Sequence, residues 1–163
     1  QLAVSGGVQV AIEHEAVSVD HLEQITEAEL KLLASSKTVP VGLPGCSFYL
    51  GIPYAPGREL MERGLPFALA SDFNPGSSPV YDMQMIWSLA CIKMKLSPQQ
   101  ALDAITCNSA MAMDAGEEVG RIRVGQRANL VVLQQAIQNL SYVPYAFGEN
   151  NIEKVMISGK WVA

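Results

Sequence analysis

The sequence is poor in the signals that usually settle a protein's class. Its 163 residues hold three cysteines, Cys46, Cys91 and Cys107, with no CxxC pair. An odd number without metal-ligand spacing excludes a disulfide framework or a cysteine-rich zinc site, and points to a reducing, cytoplasmic compartment. No run of Lys or Arg stands out and the net charge is -5. Nucleic acid needs a basic footprint, so it is not an expected partner. No apolar run approaches the roughly 20 residues that span a bilayer, so no membrane partner is expected either. There is no internal repeat and no low-complexity segment. What is present is globular: 49% hydrophobic and 17% charged residues are enough for one sizeable core.

Periodicity organises the chain. Residues 7–15 read as a helix through Val8, Val10, Ala11 and Ile12. Residues 16–21 (AVSVDH) alternate apolar and polar side chains and read as a strand. Thr26 and Glu29 form a capping box, with Leu30, Leu33 and Ala34 at helical spacing behind it. Residues 38–43 are β-branched and apolar, a strand halted by Pro44 and Gly45; residues 57–64 hold a short helix with Leu60 and Met61 facing in. The apolar run 65–70 then ends in Ser71 and Asp72, followed by the turn-forming stretch Phe73, Asn74, Pro75, Gly76, Ser77, Ser78 and Pro79. The order α-β-α-β-α-β predicts parallel strands with helical crossovers. Parallel sheets place their chemistry at strand C-terminal ends, because the βα loops converge there. His21, the segment 44–47 and Asp72 with its turn are therefore expected on one face.

Residues 83–94 are apolar nearly all round and predict a covered helix; Ser97, Pro98 and Gln100 open another, with Ala101, Leu102 and Ile105 inward. After Gly116 the character changes to short strands at 120–125 and 129–133 and a terminal hairpin through 155–162. The expected class is α/β. Residues 1–115 make the last strands and helices of a (β/α)8 TIM-type barrel, and residues 116–163 a small β-sandwich segment at the C-terminus. Three to four β/α units are about half of such a barrel. Gln1 is not Met and no strand precedes the first helix, so the chain is expected to be a piece of a longer protein, with the missing N-terminal half of the barrel as its partner. Unpaired strand edges and the apolar 83–94 helix favour a homo-oligomer.

Several segments resemble the imidazolonepropionases, cyclic amidohydrolases of histidine breakdown. They are residues 6–8 (GGV), 16–23 (AVSVDHLE), 43–45 (LPG), 70–79 (ASDFNPGSSP), 88–91 (SLAC) and the 120–133 stretch. The last follows a G-x-I-x-x-G-x-x-A-N-L pattern shared by many amidohydrolases, mostly with Asp where Asn129 stands; DHLE and DFNPGSS are the more specific segments. The resemblance implies a metal-dependent barrel that uses one divalent ion, zinc or iron. It implies hydrolysis of a small molecule, 4-imidazolone-5-propanoate, to N-formimidoyl-L-glutamate in L-histidine degradation. By the same resemblance Asp72 is a metal ligand and catalytic, and His21 is the catalytic histidine beside the nucleophilic water. Asn74, Gly76 and Ser77 form the substrate-holding loop, and Gln1 touches substrate. The family's H-x-H pair and its fifth-strand histidine are not in this chain, nor are the Arg and Tyr that hold the propanoate. This chain alone is therefore expected to bind metal weakly and to be inactive.

Each residue also has a structural reading. His21 would be a strand-end histidine bonded to a carbonyl, and Asp72 an Asx-turn or helix-cap carboxylate. Asn74 and Gly76 would shape the turn, and Ser77 or Ser78 would cap the next helix. Asp20 and Glu23 flank His21, either holding its imidazole or serving exposed or structural roles. His14 reads as a solvated surface residue, Cys46 as a small half-buried residue, and Cys91 and the cluster Met83, Met85 and Met94 as core or interface filling. The competing functions are a related cyclic amidase or deaminase, and a non-catalytic association domain.

Overall fold

Local capping chemistry fixes much of the helix layer in the computed structural model, which describes residues 3–162. Helix α1 (Gly7–Glu13) leads into strand β1 (Ser18–Asp20). Helix α2 (Glu27–Ala34) begins at the expected capping box: Glu29 N donates to Thr26 Oγ1 and Thr26 N donates to Glu29 Oε2 at 2.8 Å. Strand β2 (Val39–Gly42) follows. Pro44, expected only to stop that strand, also opens helix α3 (Pro44–Leu50), since a first-turn residue needs no N–H donor. Helix α4 (Gly57–Glu62) precedes strand β3 (Ala68–Leu69). The strand is shorter than the apolar run that foretold it: Pro66 has no N–H for the ladder, and Phe67 N bonds back to Leu65 O. Helix α5 (Met83–Ile92) starts at Asp82, and helix α6 (Pro98–Ile105) at a second capping box, Ser97 with Gln100.

Strands β1, β2 and β3 form one parallel sheet in that order, with Ser18 opposite Val39 and Val41 opposite Ala68. Alternate residues face opposite sides. Val39, Val41 and Ala68 join Leu43 and Cys46 in a small cluster on one face. Phe67 and Leu69 join the main core with Leu22, Leu30, Leu33, Leu60 and Ile86 on the other. Gly42 is required there, because a Cβ at that position would overlap the Phe67 ring. Helix α7 (Cys107–Ala112) has no local sequence signal. Asn108 Nδ2 donates to Phe67 O at 2.9 Å and Ser109 Oγ to Leu69 O at 2.8 Å, so α7 covers the β3 edge that faces away from β2. Cys91 is half-buried beside the main core rather than within it, and burial pushes its thiol up to about 11.

The tail forms a second, antiparallel sheet. Strand β4 (Leu130–Leu133) is followed by the short helix α8 (Tyr142–Tyr145), then by strands β5 (Ile152–Ile157) and β6 (Lys160–Trp161). Ser158 and Gly159 both have positive φ, 49° and 79°, as a two-residue hairpin demands. The strand expected at 120–125 is absent. Ile122 and Val124 are almost fully exposed with no strand beside them, and the chain there closes on itself through Gln126 N to Arg123 O and Arg127 N to Glu118 O. The tail is tied to the body by Asn151 N donating to Gln84 Oε1 at 2.9 Å and by Val143 in the main core. Among the described residues, no helix is long and apolar enough to cross a membrane.

Candidate functional site

Because the three strands run parallel, His21 and Asp72 emerge at the same end of the sheet, one beyond β1 and the other beyond β3. With β2 between them, their turns stand about two strand spacings apart, roughly 10 Å. Both leave the strand through a backbone that L-residues rarely adopt. His21 has φ 77°, Leu22 φ 71° and Asp72 φ 52°. None is glycine. Left-handed non-glycine residues cost on the order of 1–3 kcal/mol each and persist only where surrounding structure imposes them, which is common at functional sites.

The surrounding structure differs at the two turns. After β1, Leu22 is fully buried and Glu23 is buried beside it, while His21 keeps 37% of its side chain exposed. Nδ1 of His21 lies 3.2 Å from Oε1 of Glu23. His21 is therefore bound to a carboxylate, not to the backbone carbonyl of its structural reading. After β3, the loop is held by its own polar groups. Asn74 Oδ1 accepts from Gly76 N at 2.9 Å and Ser77 N at 2.8 Å, and Asn74 Nδ2 donates to Asp72 O at 2.6 Å. Ser78, fully buried, donates from Oγ to Ser71 O at 2.6 Å. Gly45 in the first turn of α3 lies so close beneath that a Cβ would come within 2.8 Å of Ser78 Oγ.

These bonds sort the candidate residues. Asn74 shapes the turn with both ends of its amide. Gly76 and Ser77 give it their backbone N–H groups, and Ser77 Oγ lies 3.3 Å from Asn74 Oδ1. Neither Ser77 nor Ser78 caps the next helix; Asp82 does, accepting from Gln84 N at 2.8 Å. The buttressing role of Ser78 had no separate sequence signal. Asp72 is only half-buried, and among the described residues no hydrogen bond or ion pair uses its carboxylate, so the Asx-turn role falls to Asn74 instead. Asp20 stands between the two turns electrostatically: its carboxyl is raised above the usual range by the protein mass around it, partly offset by His21 and reinforced by the negative charge of Asp72. Gln1 lies outside the described residues. His14 is exposed, as expected.

Among the described residues, no three His, Cys, Asp or Glu side chains come together to hold a metal ion. Asp72 offers one open carboxylate, which fits a single ligand position and not a complete donor set. A cavity of about 660 Å³ opens at the other end of the strands, between Val17, Lys37, Cys107, Met111 and Arg121. It lies away from the strand ends where parallel sheets do chemistry, and it mixes both charge signs.

A model of the amidohydrolase family matches residues 2–162. The chain is 48% identical over 157 residues to an imidazolonepropionase of Christiangramia forsetii, covering 96% of this chain and 38% of that protein. It is 46% identical over 155 residues to an imidazolonepropionase of Flavobacterium johnsoniae, covering 95% and 38%. The chain thus spans well under half the length of these relatives. In structure it resembles an adenosine deaminase from Xanthomonas campestris solved with bound zinc, with TM-score 0.80, 28% identity, and coverage of 88% of this chain and 36% of that one.

Proposed function

The chain belongs to the amidohydrolase family, and from that membership we propose that it forms the C-terminal half of a (β/α)8 barrel, residues 1–115, with part of a β-sandwich in residues 116–163. The whole protein hydrolyses 4-imidazolone-5-propanoate to N-formimidoyl-L-glutamate. The 48% and 46% identity to two imidazolonepropionases over nearly the entire chain supports this substrate class. The observation that carries the site is Asp72: a half-buried carboxylate in a left-handed backbone at a strand end, bonded to nothing among the described residues.

Asp72 would supply one ligand to a divalent ion, zinc or iron, with the other ligands coming from the rest of the protein. When bound, such an ion would lower the pKa of a water to about 7. The chain's own residues do the rest. The Asp72 carboxylate accepts a proton as the ring carbonyl is attacked. The imidazole of His21, held at the same end of the sheet, orients the attacking water and moves a proton toward the leaving ring nitrogen. The loop from Asn74 to Ser77, stiffened by the Asn74 amide, holds the substrate. The test is turnover by the intact, metal-loaded protein. Ring opening of 4-imidazolone-5-propanoate is the expected result. An intact protein inert to it but active in deaminating a purine, or in opening another ring, would overturn the substrate assignment.

A further inference from the structure

We propose that Glu23 is a positioning residue that fixes the proton of the neutral His21 ring on Nδ1, leaving Nε2 as the nitrogen available to substrate or water. The proposal rests on the reading of His21 as a site residue and deepens it.

The local backbone makes the contact. His21 and Leu22 are two successive left-handed residues, and across them the side chains of His21 and Glu23 meet. Leu22 plugs the main core with no exposed surface and holds the turn in place. Glu23 is carried inward, its side chain fully buried, and Oε1 stops 3.2 Å from Nδ1 of His21. An ionised carboxylate only accepts hydrogen bonds, so a neutral imidazole meets it by donating from Nδ1. The second ring nitrogen then carries a lone pair. Nδ1 is tied to the buried Glu23, while 37% of the His21 side chain as a whole remains exposed. Histidines that must act with one nitrogen are commonly set by the partner of the other.

The chain contains only two histidines, and His14 is exposed on the surface. It is therefore an internal reference for His21 in one spectrum. In the intact protein labelled with 15N-histidine, at alkaline pH, His21 is expected as the Nδ1–H tautomer and His14, assigned by its loss in His14→Asn, as the Nε2–H form that free imidazoles favour. Loss of its signal in His21→Asn assigns His21. Glu23→Leu is expected to return His21 to the pattern of His14, and the near-isosteric Glu23→Gln to weaken the preference. An Nε2–H tautomer at His21 in the unaltered chain overturns the proposal without any variant having to fold. In the intact enzyme, Glu23→Gln is expected to lower kcat about tenfold or more with KM nearly unchanged; an unchanged kcat also overturns it. A wrong tautomer leaves the proposed function standing, whereas the right tautomer in an enzyme inert to the ring substrate removes that function alone.

Discussion

The turn after β1 and the loop after β3 solve one problem in two ways. Each must hold a non-glycine residue left-handed while presenting a polar side chain at the sheet's end. The turn at His21 does it with burial: Leu22 is inserted in the core, and the strained segment is only two residues long. The loop at Asp72 does it with hydrogen bonds: the Asn74 amide and the Ser78 hydroxyl close a turn whose apolar member, Phe73, is 62% exposed against Tyr81. A short segment next to a core can be pinned by one apolar anchor. A longer loop that must keep an open carboxylate needs a scaffold that does not use that carboxylate, and Asn74 supplies it.

The contrast can be broken from either side. Leu22→Ala has the largest expected effect on stability, about 2–5 kcal/mol by loss of a fully buried side chain and the cavity left behind. Denaturant unfolding measures it, and a loss below 1 kcal/mol (order of magnitude for an exposed site) would show that Leu22 is not the anchor. Ser78→Ala ranks next, about 1–3 kcal/mol, because Ser71 O loses its buried donor. Asn74→Ala is expected to cost about 0.5–1.5 kcal/mol, since water replaces part of what the exposed Gly76 N–H loses. In the intact enzyme it raises KM more than it lowers kcat, with metal content unchanged; a loss of metal would place Asn74 in the ion's own shell.

The smallest effects sharpen the electrostatic side. Asp72→Gly removes the left-handed strain but adds glycine's chain entropy, so stability is expected to change by less than about 1 kcal/mol while activity disappears. Asp20 has a folded-state pKa above its usual 3.8, so the fold disfavours its charged form. Stability contributed by the neutral form is therefore lost as pH rises from the usual value through the raised one. Asp20→Asn should raise Tm slightly at neutral pH and leave it unchanged at pH values below the usual carboxylate range. A lower Tm at neutral pH would contradict the assigned cause.

Where the determining contacts are local, the sequence is explicit. Both capping boxes, the parallel β/α order and the placement of His21 and Asp72 beyond their strands follow from residues within a few positions of one another. Helix α7 does not, because Asn108 and Ser109 are fixed by carbonyls about forty residues away, at Phe67 and Leu69. The false strand at 120–125 has β-like composition but no neighbour to pair with. At the site, residue type pointed to Asp72 and His21. It offered both Asp20 and Glu23 as possible holders of the imidazole without choosing between them, and it did not reveal that the Asp72 carboxylate is left open, because both outcomes depend on how the turns place the side chains.

The most direct test of the central claim, that His21 and Asp72 act at one centre, is a double-mutant cycle on kcat in the intact enzyme with His21→Asn and Asp72→Asn. Residues that work as a unit are strongly non-additive. The double variant is expected to be no slower than the poorer single variant; losses that multiply would show that the two side chains act independently, at separate places.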